Sequence, residues 1–476
     1  EAAGKPVACL LEAATGSELY ACGPASRRVM EPAGYVRLLG IGSELLSARE
    51  VLARVGVRTD FIRIGRYKSA VELYQESAPS APALEQREAF LDDAWSRLRE
   101  ELAADLETTP EAIDALVDAG PHDYGSALAA GLVDGPADPL APGRALRSLF
   151  GRRPLVRELP AVVPAGFGVP RRVAVVIIDG SIVDGENQDV PVVGIRRTGG
   201  RTIVPILEAV RRDPTVSAVV LRVDSPGGSA LASEQIWRAV RRLARDKPVI
   251  ASMGAVAASG GYYVVSPATE IWAAPTTLTG SIGVFFGKAD LGPLAERLGL
   301  GVTPLTRGAR AGATSRFRPF TGDERAALAQ LVRVSYRRFL HRVAEGRDLT
   351  PREVHAVAQG RVWSGDAAEA RGLVDRLGGF TEALARARSL GGLPDDGEVA
   401  YVPARPSGLL GAVRQLATGA GVRQPIRASG LDGGALEAPA PVAPPGLSPG
   451  LLRLADALGL GSASGPLALL PFVVVD

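Results

Sequence analysis

The sequence predicts an α/β fold made of two related units in tandem, the first of them truncated. Three observations carry this. Apolar runs of strand length alternate with stretches of helical periodicity through most of residues 5–395. Residues 173–178 (VAVVII) are apolar on both faces, as a central strand of a parallel sheet requires. The chain also repeats itself: adding 243 to a residue number carries Ala14 to Ala257, Tyr20 to Tyr263, Pro32 to Pro275, Gly40 to Gly283, Arg54 to Arg297 and Gly65 to Gly308 without a gap. Further on the offset becomes 241, where Thr109-Pro110 answers Thr350-Pro351 and 131–134 (GLVD) answers 372–375. Self-similarity at a fixed period marks a duplicated fold. Residues 171–246 lead up to Lys247 in the second copy, and nothing before Lys5 answers them, so the first copy reads as truncated.

In order, residues 1–134 form the first α/β unit. A strand is expected at 5–11 (KPVACLL), part of a helix at 47–55 ended by Gly56, and a short strand at 59–64 (TDFIRI) leading into 65–70 (GRYKSA). Helical spacing recurs over 84–106, and a further helix opens at Pro110 behind Thr109, an N-cap followed by proline at the first helical position. Residues 135–170, rich in Pro, Gly and Arg, form a connector. The second unit, 171–395, follows its central strand with a helix near 203–211, a strand at 218–223, a turn at 224–228 (DSPGG), a helix near 233–245 and a buried strand from Val249. A turn of small residues, 253–258, then presents Ser259, followed by Gly260 and Gly261. Residues 396–476 are an Ala/Pro/Gly-rich tail with helical patches at 409–416 and 451–458. Its last apolar run, 467–475, is too short to cross a membrane.

Composition excludes several classes. At 476 residues, 46% hydrophobic and 22% charged, the chain is an ordinary globular one, long enough for two or three domains. A net charge of +2 predicts no nucleic-acid partner. The chain opens on Glu1 without a basic, apolar leader, so any signal or anchor segment is expected to lie outside this sequence. Cys9 and Cys22 fit any redox compartment and are expected to be two small buried hydrophobes rather than a pair. Of 54 basic residues only four, Lys5, Lys68, Lys247 and Lys288, are lysines. Arginine keeps its proton, whereas a desolvated lysine can lose it and act as a base.

The differences between the copies carry the chemistry. On the 243 offset Ser259 stands opposite Gly16 and Lys68 opposite Ala311, so each copy keeps one half of a Ser/Lys pair. A serine hydroxyl needs a base to become a nucleophile, and a lysine serves if burial brings its pKa down from about 10.4 to near 7–8. His122, His341 and His355 lie in no supporting motif, which leaves a Ser-His-Asp triad the weaker choice. Acyl transfer also needs donors for the developing oxyanion, and Gly227 and Gly228 follow a strand with their N–H groups available. Ser281, in 279–283 (TGSIG), sits in a second glycine-flanked turn where it can orient the amine. No Cys/His cluster or phosphate-loop spacing is present, so neither metal nor cofactor is expected.

The segments 65–72 (GRYKSAVE), 224–229 (DSPGGS), 252–263 (SMGAVAASGGYY), 277–284 (TLTGSIGV) and 361–375 (RVWSGDAAEARGLVD) together resemble the signal peptide peptidase A family in its long, two-repeat form. The resemblance spans roughly 5–395, with the motifs in order at compatible spacings. It implies a serine endopeptidase of the Clp protease/crotonase superfamily, built from two ββα superhelical units. It further implies Ser259 as nucleophile, Lys68 as general base, Ser281 as support for the lysine, and an oxyanion hole from Gly227 or Gly228 with Gly260 as second donor. Members are similar in being membrane-anchored at the extracytoplasmic face, degrading cleaved signal peptides, and assembling as homotetramers. The rivals are an acyl-CoA-processing crotonase relative, which has no use for Lys68, and an inert scaffold at a membrane surface.

Overall fold

The computed structural model describes residues 7–137, 171–190, 195–402 and 467–469. The patches at 409–416 and 451–458, and the connector beyond residue 137, lie outside the described residues. The fold is mixed α/β and divides into two compact units. One comprises Glu1–Glu44, Arg87–Gly168 and Val473–Asp476; the other comprises Leu45–Gln86 and Val169–Phe472. Segment 45–86, which carries Lys68, therefore folds with the second sequence half. Both lysine and serine belong to one compact body.

The first unit holds a four-stranded sheet in which Ala8–Thr15 pairs parallel with Arg27–Arg37, joined by His122–Asp123 and Gly135–Pro136. Leu11, Leu19, Met30, Val36, Leu102, Ile113 and Leu132 close its core. Thr15 starts the helix Gly16–Cys22 through a capping box with Glu18, and Thr109 caps Pro110–Asp118. The expected strand at 5–11 begins later, at Ala8, and runs to Thr15. The expectation for the cysteines is corrected: Cys9 and Cys22 form a disulfide, their Cα atoms 5.7 Å apart. The helix folds back on the strand it follows, which brings two residues 13 apart in sequence within bridging distance. Closing so short a loop contributes about 3 kcal/mol.

The second unit is built on an eight-stranded sheet whose central strand, Val216–Ser225, pairs parallel with Arg172–Asp179 on one side and Val249–Ala258 on the other. Its Ala218–Leu221 stretch is wholly buried, which is what an apolar run without alternation requires. Helices cover the faces with stripes at helical spacing: Ile203, Leu207 and Val210 on Gly200–Arg212; Ile236, Val240 and Leu243 on Ala230–Asp246; and Val332, Tyr336, Phe339 and Val343 on Gly322–Arg347.

Two local expectations are corrected here. Residues 253–258 are not a turn but the second half of the strand Val249–Ala258. That half is paired on both sides, Ala257 with Ser225 and Val256 to Ala258 with Leu278 to Gly280, and this pairing overrides the low strand preference of glycine and alanine. Gly227 and Gly228 lie in a short strand, Gly227–Ser229, with Gly228 registered on Ile182. Gly228 has φ +152°, and a Cβ there would sit 2.0 Å from the Ile182 carbonyl oxygen, so glycine is required.

In a second sheet, Arg58–Ile64 pairs antiparallel with Val284–Asp290 over its full length. The strand Leu467–Leu469 pairs antiparallel with Gly227–Ser229 and, at Leu467, with Phe285. Elements recur at the offsets read from sequence. Gly292–Arg297 lies 243 beyond Arg49–Arg54, and Arg376–Leu377 lies 241 beyond Gly135–Pro136. The strands Arg58–Ile64 and Val284–Asp290 have no such counterpart: 301–307 and 41–47 carry no strand.

Candidate active site

Neighbouring parallel strands deliver the candidate residues at their carboxyl ends, where open α/β sheets gather their ligands. Val249–Ala258 ends at Ser259, and Leu278–Gly280, registered beside it, ends at Ser281. The Ser259 N–H donates to the Gly280 carbonyl (2.8 Å) and fixes the two ends together. Both serines hold left-handed backbone, φ 54° and 51°, a conformation that costs a non-glycine residue about 1–3 kcal/mol and gathers at functional sites.

Lys68 arrives from another direction. Arg58–Ile64 ends just before it, and the turn that follows is pinned by the Tyr67 N–H donating to the Gln359 carbonyl (3.0 Å). The side chain is fully buried. Its Nζ lies within hydrogen-bond distance of Ser259 Oγ (2.8 Å), Ser281 Oγ (3.0 Å) and the Ser281 carbonyl (3.0 Å). All three partners are uncharged. Desolvation with no carboxylate to offset it holds the amine well below its usual pKa, which favours the neutral, proton-accepting form. Ser259 is fully buried as well, in the wall formed by these elements.

The glycines expected at the oxyanion position surround the serine unevenly. Gly260 follows it directly, and a Cβ on Gly260 would lie 3.0 Å from the Gly228 nitrogen and 3.1 Å from Gly227 Cα, so the three backbones are in contact. The Gly227 N–H donates to Ser225 Oγ (3.2 Å).

Two of the three histidines are engaged elsewhere. His122 Nε2 bonds the Leu116 carbonyl (2.7 Å), and His355 Nδ1 bonds the Tyr336 hydroxyl (2.9 Å).

Residues 1–137 and 241–393 match the family model described as Peptidase family S49. The chain belongs to this family. Among its S49 relatives, Protease 4 of Salmonella typhi is 34% identical over 412 residues, which is 81% of this chain and 64% of the relative. Protease 4 of Haemophilus influenzae is 32% identical over 408 residues, covering 82% of this chain and 65% of the relative. The chloroplastic serine protease SPPA of Arabidopsis thaliana is 31% identical over 391 residues, covering 79% and 57%. The S49 chain thus spans somewhat less than two thirds of the length of these relatives.

Three residues that pack around the Lys68 turn escaped the sequence reading. Gln359, at φ 53°, and Gly360 form the shelf on which the Lys68 turn rests, and Gln86 reaches into the same turn. For Gln86 a signal existed: at the 241 offset it stands opposite Ala327, the same one-sided difference that marks Lys68 against Ala311.

Proposed function

We propose that this chain is a serine peptidase with a Ser259/Lys68 dyad, acting on cleaved signal peptides or similar apolar peptides. The observation that carries the reading is the 2.8 Å contact between Lys68 Nζ and Ser259 Oγ in a dry site where the amine has only neutral partners. Ser259 Oγ attacks the peptide carbonyl carbon as its proton passes to Lys68. The resulting oxyanion faces the Gly228 and Gly260 N–H groups. Collapse breaks the C–N bond, and Lys68 returns the proton to the leaving amine. Water, deprotonated by the same lysine, then releases the acyl group.

The pairing of Leu467–Leu469 on Gly227–Ser229 supports an extended substrate that binds by adding as a strand beside the serine. The buried lysine–serine contact counts against an acyl-CoA enzyme and against an inert scaffold, neither of which has a use for a desolvated amine. Labelling tests the reading directly. A fluorophosphonate is expected to modify Ser259 and no other serine, with labelling lost in Ser259→Ala; modification elsewhere, or none, rejects it.

The disulfide supports an oxidising, extracytoplasmic location; a place at the membrane surface rests on the family resemblance. No helix of the described residues is long and apolar enough to cross a membrane, so association would run through a segment outside them.

We also read the two element sets at offsets 243 and 241 as tandem Clp/crotonase-like ββα copies, and the chain as a homo-oligomer, a tetramer by resemblance. The pairing of Arg58–Ile64 with Val284–Asp290 supports this. The equivalent segments 301–307 and 41–47 lack it, and they expose Leu305 (89%) and Leu46 (69%). Pairing 301–307 of one chain with 41–47 of the next is a head-to-tail contact, of the kind that gives a ring where its rotation closes. Sedimentation is expected to show an oligomer that Leu305→Asp dissociates; a wild-type chain that sediments as a monomer overturns the assembly.

A further inference from the structure

Resting on the dyad reading, we propose that Gln86 is a positioning residue for Lys68: its single carboxamide clamps the backbone on both sides of the lysine and ties it to the segment that holds Ser281. Gln86 is almost fully buried, near the start of the helix Ala81–Asp105. Its Nε2 donates to the Tyr67 carbonyl (3.0 Å) and to Ser69 Oγ (2.8 Å), the residues immediately before and after Lys68. Its Oε1 accepts from the Val362 N–H (3.3 Å). Both donors and the acceptor of the amide are therefore used: two partners flank Lys68 in sequence, and the third is next to Arg361, whose carbonyl accepts from Ser281.

The turn so held is tight. Lys68 has φ −75° and ψ 71°, and the Ser69 N–H donates to the Tyr67 carbonyl (2.8 Å), an inverse γ-turn centred on the lysine. The Tyr67 carbonyl that closes this turn is the one Gln86 holds. From Val362 the connection continues one residue back. The Arg361 carbonyl accepts the Ser281 N–H (2.7 Å), and Ser281 offers its own carbonyl and hydroxyl to Lys68 Nζ. One side chain thereby sets the root of the lysine and, through two backbone links, the cradle at its tip. A helix-borne amide is rigid enough for this, since side chains that fix a reacting group work best from regular elements. The repeat gives an independent indication: the copy that lacks the lysine has alanine at the Gln86 position.

Loss of the clamp has two consequences. The root of Lys68 shifts, and a displacement of about 1 Å at a reacting group costs about 10²-fold in rate. Water also gains access to the amine, so its pKa rises toward the usual lysine range of about 10.4. The charged groups around the turn remain in place. Arg63 donates to the Lys68 carbonyl and pairs with Glu72, Arg361 stacks on Tyr67 and pairs with Glu85, and Arg66 lies over the Tyr67 ring; the serine strands contribute only Ser259 and Ser281. A change in the pH profile therefore reports hydration and placement of the lysine rather than a new charge.

The test is Gln86→Met, which keeps length and apolar volume but forms none of the three bonds. A series of pH values is used to measure kcat and KM on an apolar peptide, the rate of fluorophosphonate labelling at Ser259, and the melting temperature. The expected result is a kcat lowered about 30- to 100-fold at pH 7 with KM nearly unchanged. The acidic limb of the rate profile should move up by about one pH unit or more, so that the deficit narrows near pH 10. Ser69→Ala, which removes one acceptor without opening the core, should shift the limb in the same direction by less, and it decides the matter if Gln86→Met fails to fold. A lowered melting temperature with the acidic limb unmoved in the folded variant assigns Gln86 a merely structural role and overturns the proposal. A wild-type chain that never labels at Ser259 refutes the dyad itself, a result separable from an unmoved limb in an active variant.

Discussion

Lys68→Met is expected to lower peptide hydrolysis by about 10³-fold or more, within reach of losing a general base outright. It should also raise the melting temperature at neutral pH. The second half follows from burial. Folding strips water from the amine without giving it a carboxylate, so the native state holds it with a depressed pKa while the unfolded chain protonates it at about 10.4. Above that value both states are neutral and the lysine is without penalty. As the pH falls below it the unfolded state takes up a proton that the native state does not, and stability declines until the native pKa is passed, below which the penalty is complete. Methionine fills the same channel and never titrates. The variant should therefore gain most over the wild type at neutral and lower pH, and the gain should vanish near pH 11. Paired thermal melts and peptide assays from pH 6 to pH 11 check both halves; a variant that loses stability at neutral pH would show that the amine is not desolvated as described.

Gly360→Ala is the second large effect. Gly360 has φ +78°, and a Cβ there would stand 2.7 Å from both the nitrogen and the Cβ of Lys68. Backbone and a side-chain root cannot retreat as the end of a flexible chain can, so the lysine turn must move. A loss of about 10²-fold in kcat is expected, together with about 1–3 kcal/mol of stability from the left-handed backbone. Gly372→Ala supplies the control. It carries the same kind of backbone, φ +69°, with nothing within 4 Å of the new methyl. It should lose a comparable amount of stability and keep its kcat, and equal kcat losses in the two variants would remove the steric explanation.

What could be seen in the sequence was what leaves a pattern along it. Apolar periodicity located the strand at 173–178, two of the three covering helices and the first half of the strand that ends at Ser259. Comparing the copies singled out Ser259 and Lys68, since a duplicated chain carries its own reference. Gln86 left a mark of the same kind, an alanine opposite it, but an amide that bonds to backbone has no spacing of its own and was overlooked. Cys9 and Cys22 could not be paired because the bond depends on a helix doubling back on its strand, which composition does not encode. The strand character of 253–258 comes from neighbours on both sides, one of them contributed by residues some way downstream. Segment 45–86 looked like part of the first half because it follows it; its packing partner, Val284–Asp290, lies more than two hundred residues away.

That last pairing governs when the molecule acquires its chemistry. With 191 residues between the amine and the hydroxyl, and the lysine turn resting on a strand that extends to Asp290, a chain still emerging from the ribosome has no complete site. On the proposed dyad, hydrolysis becomes possible only after Asp290 has been made.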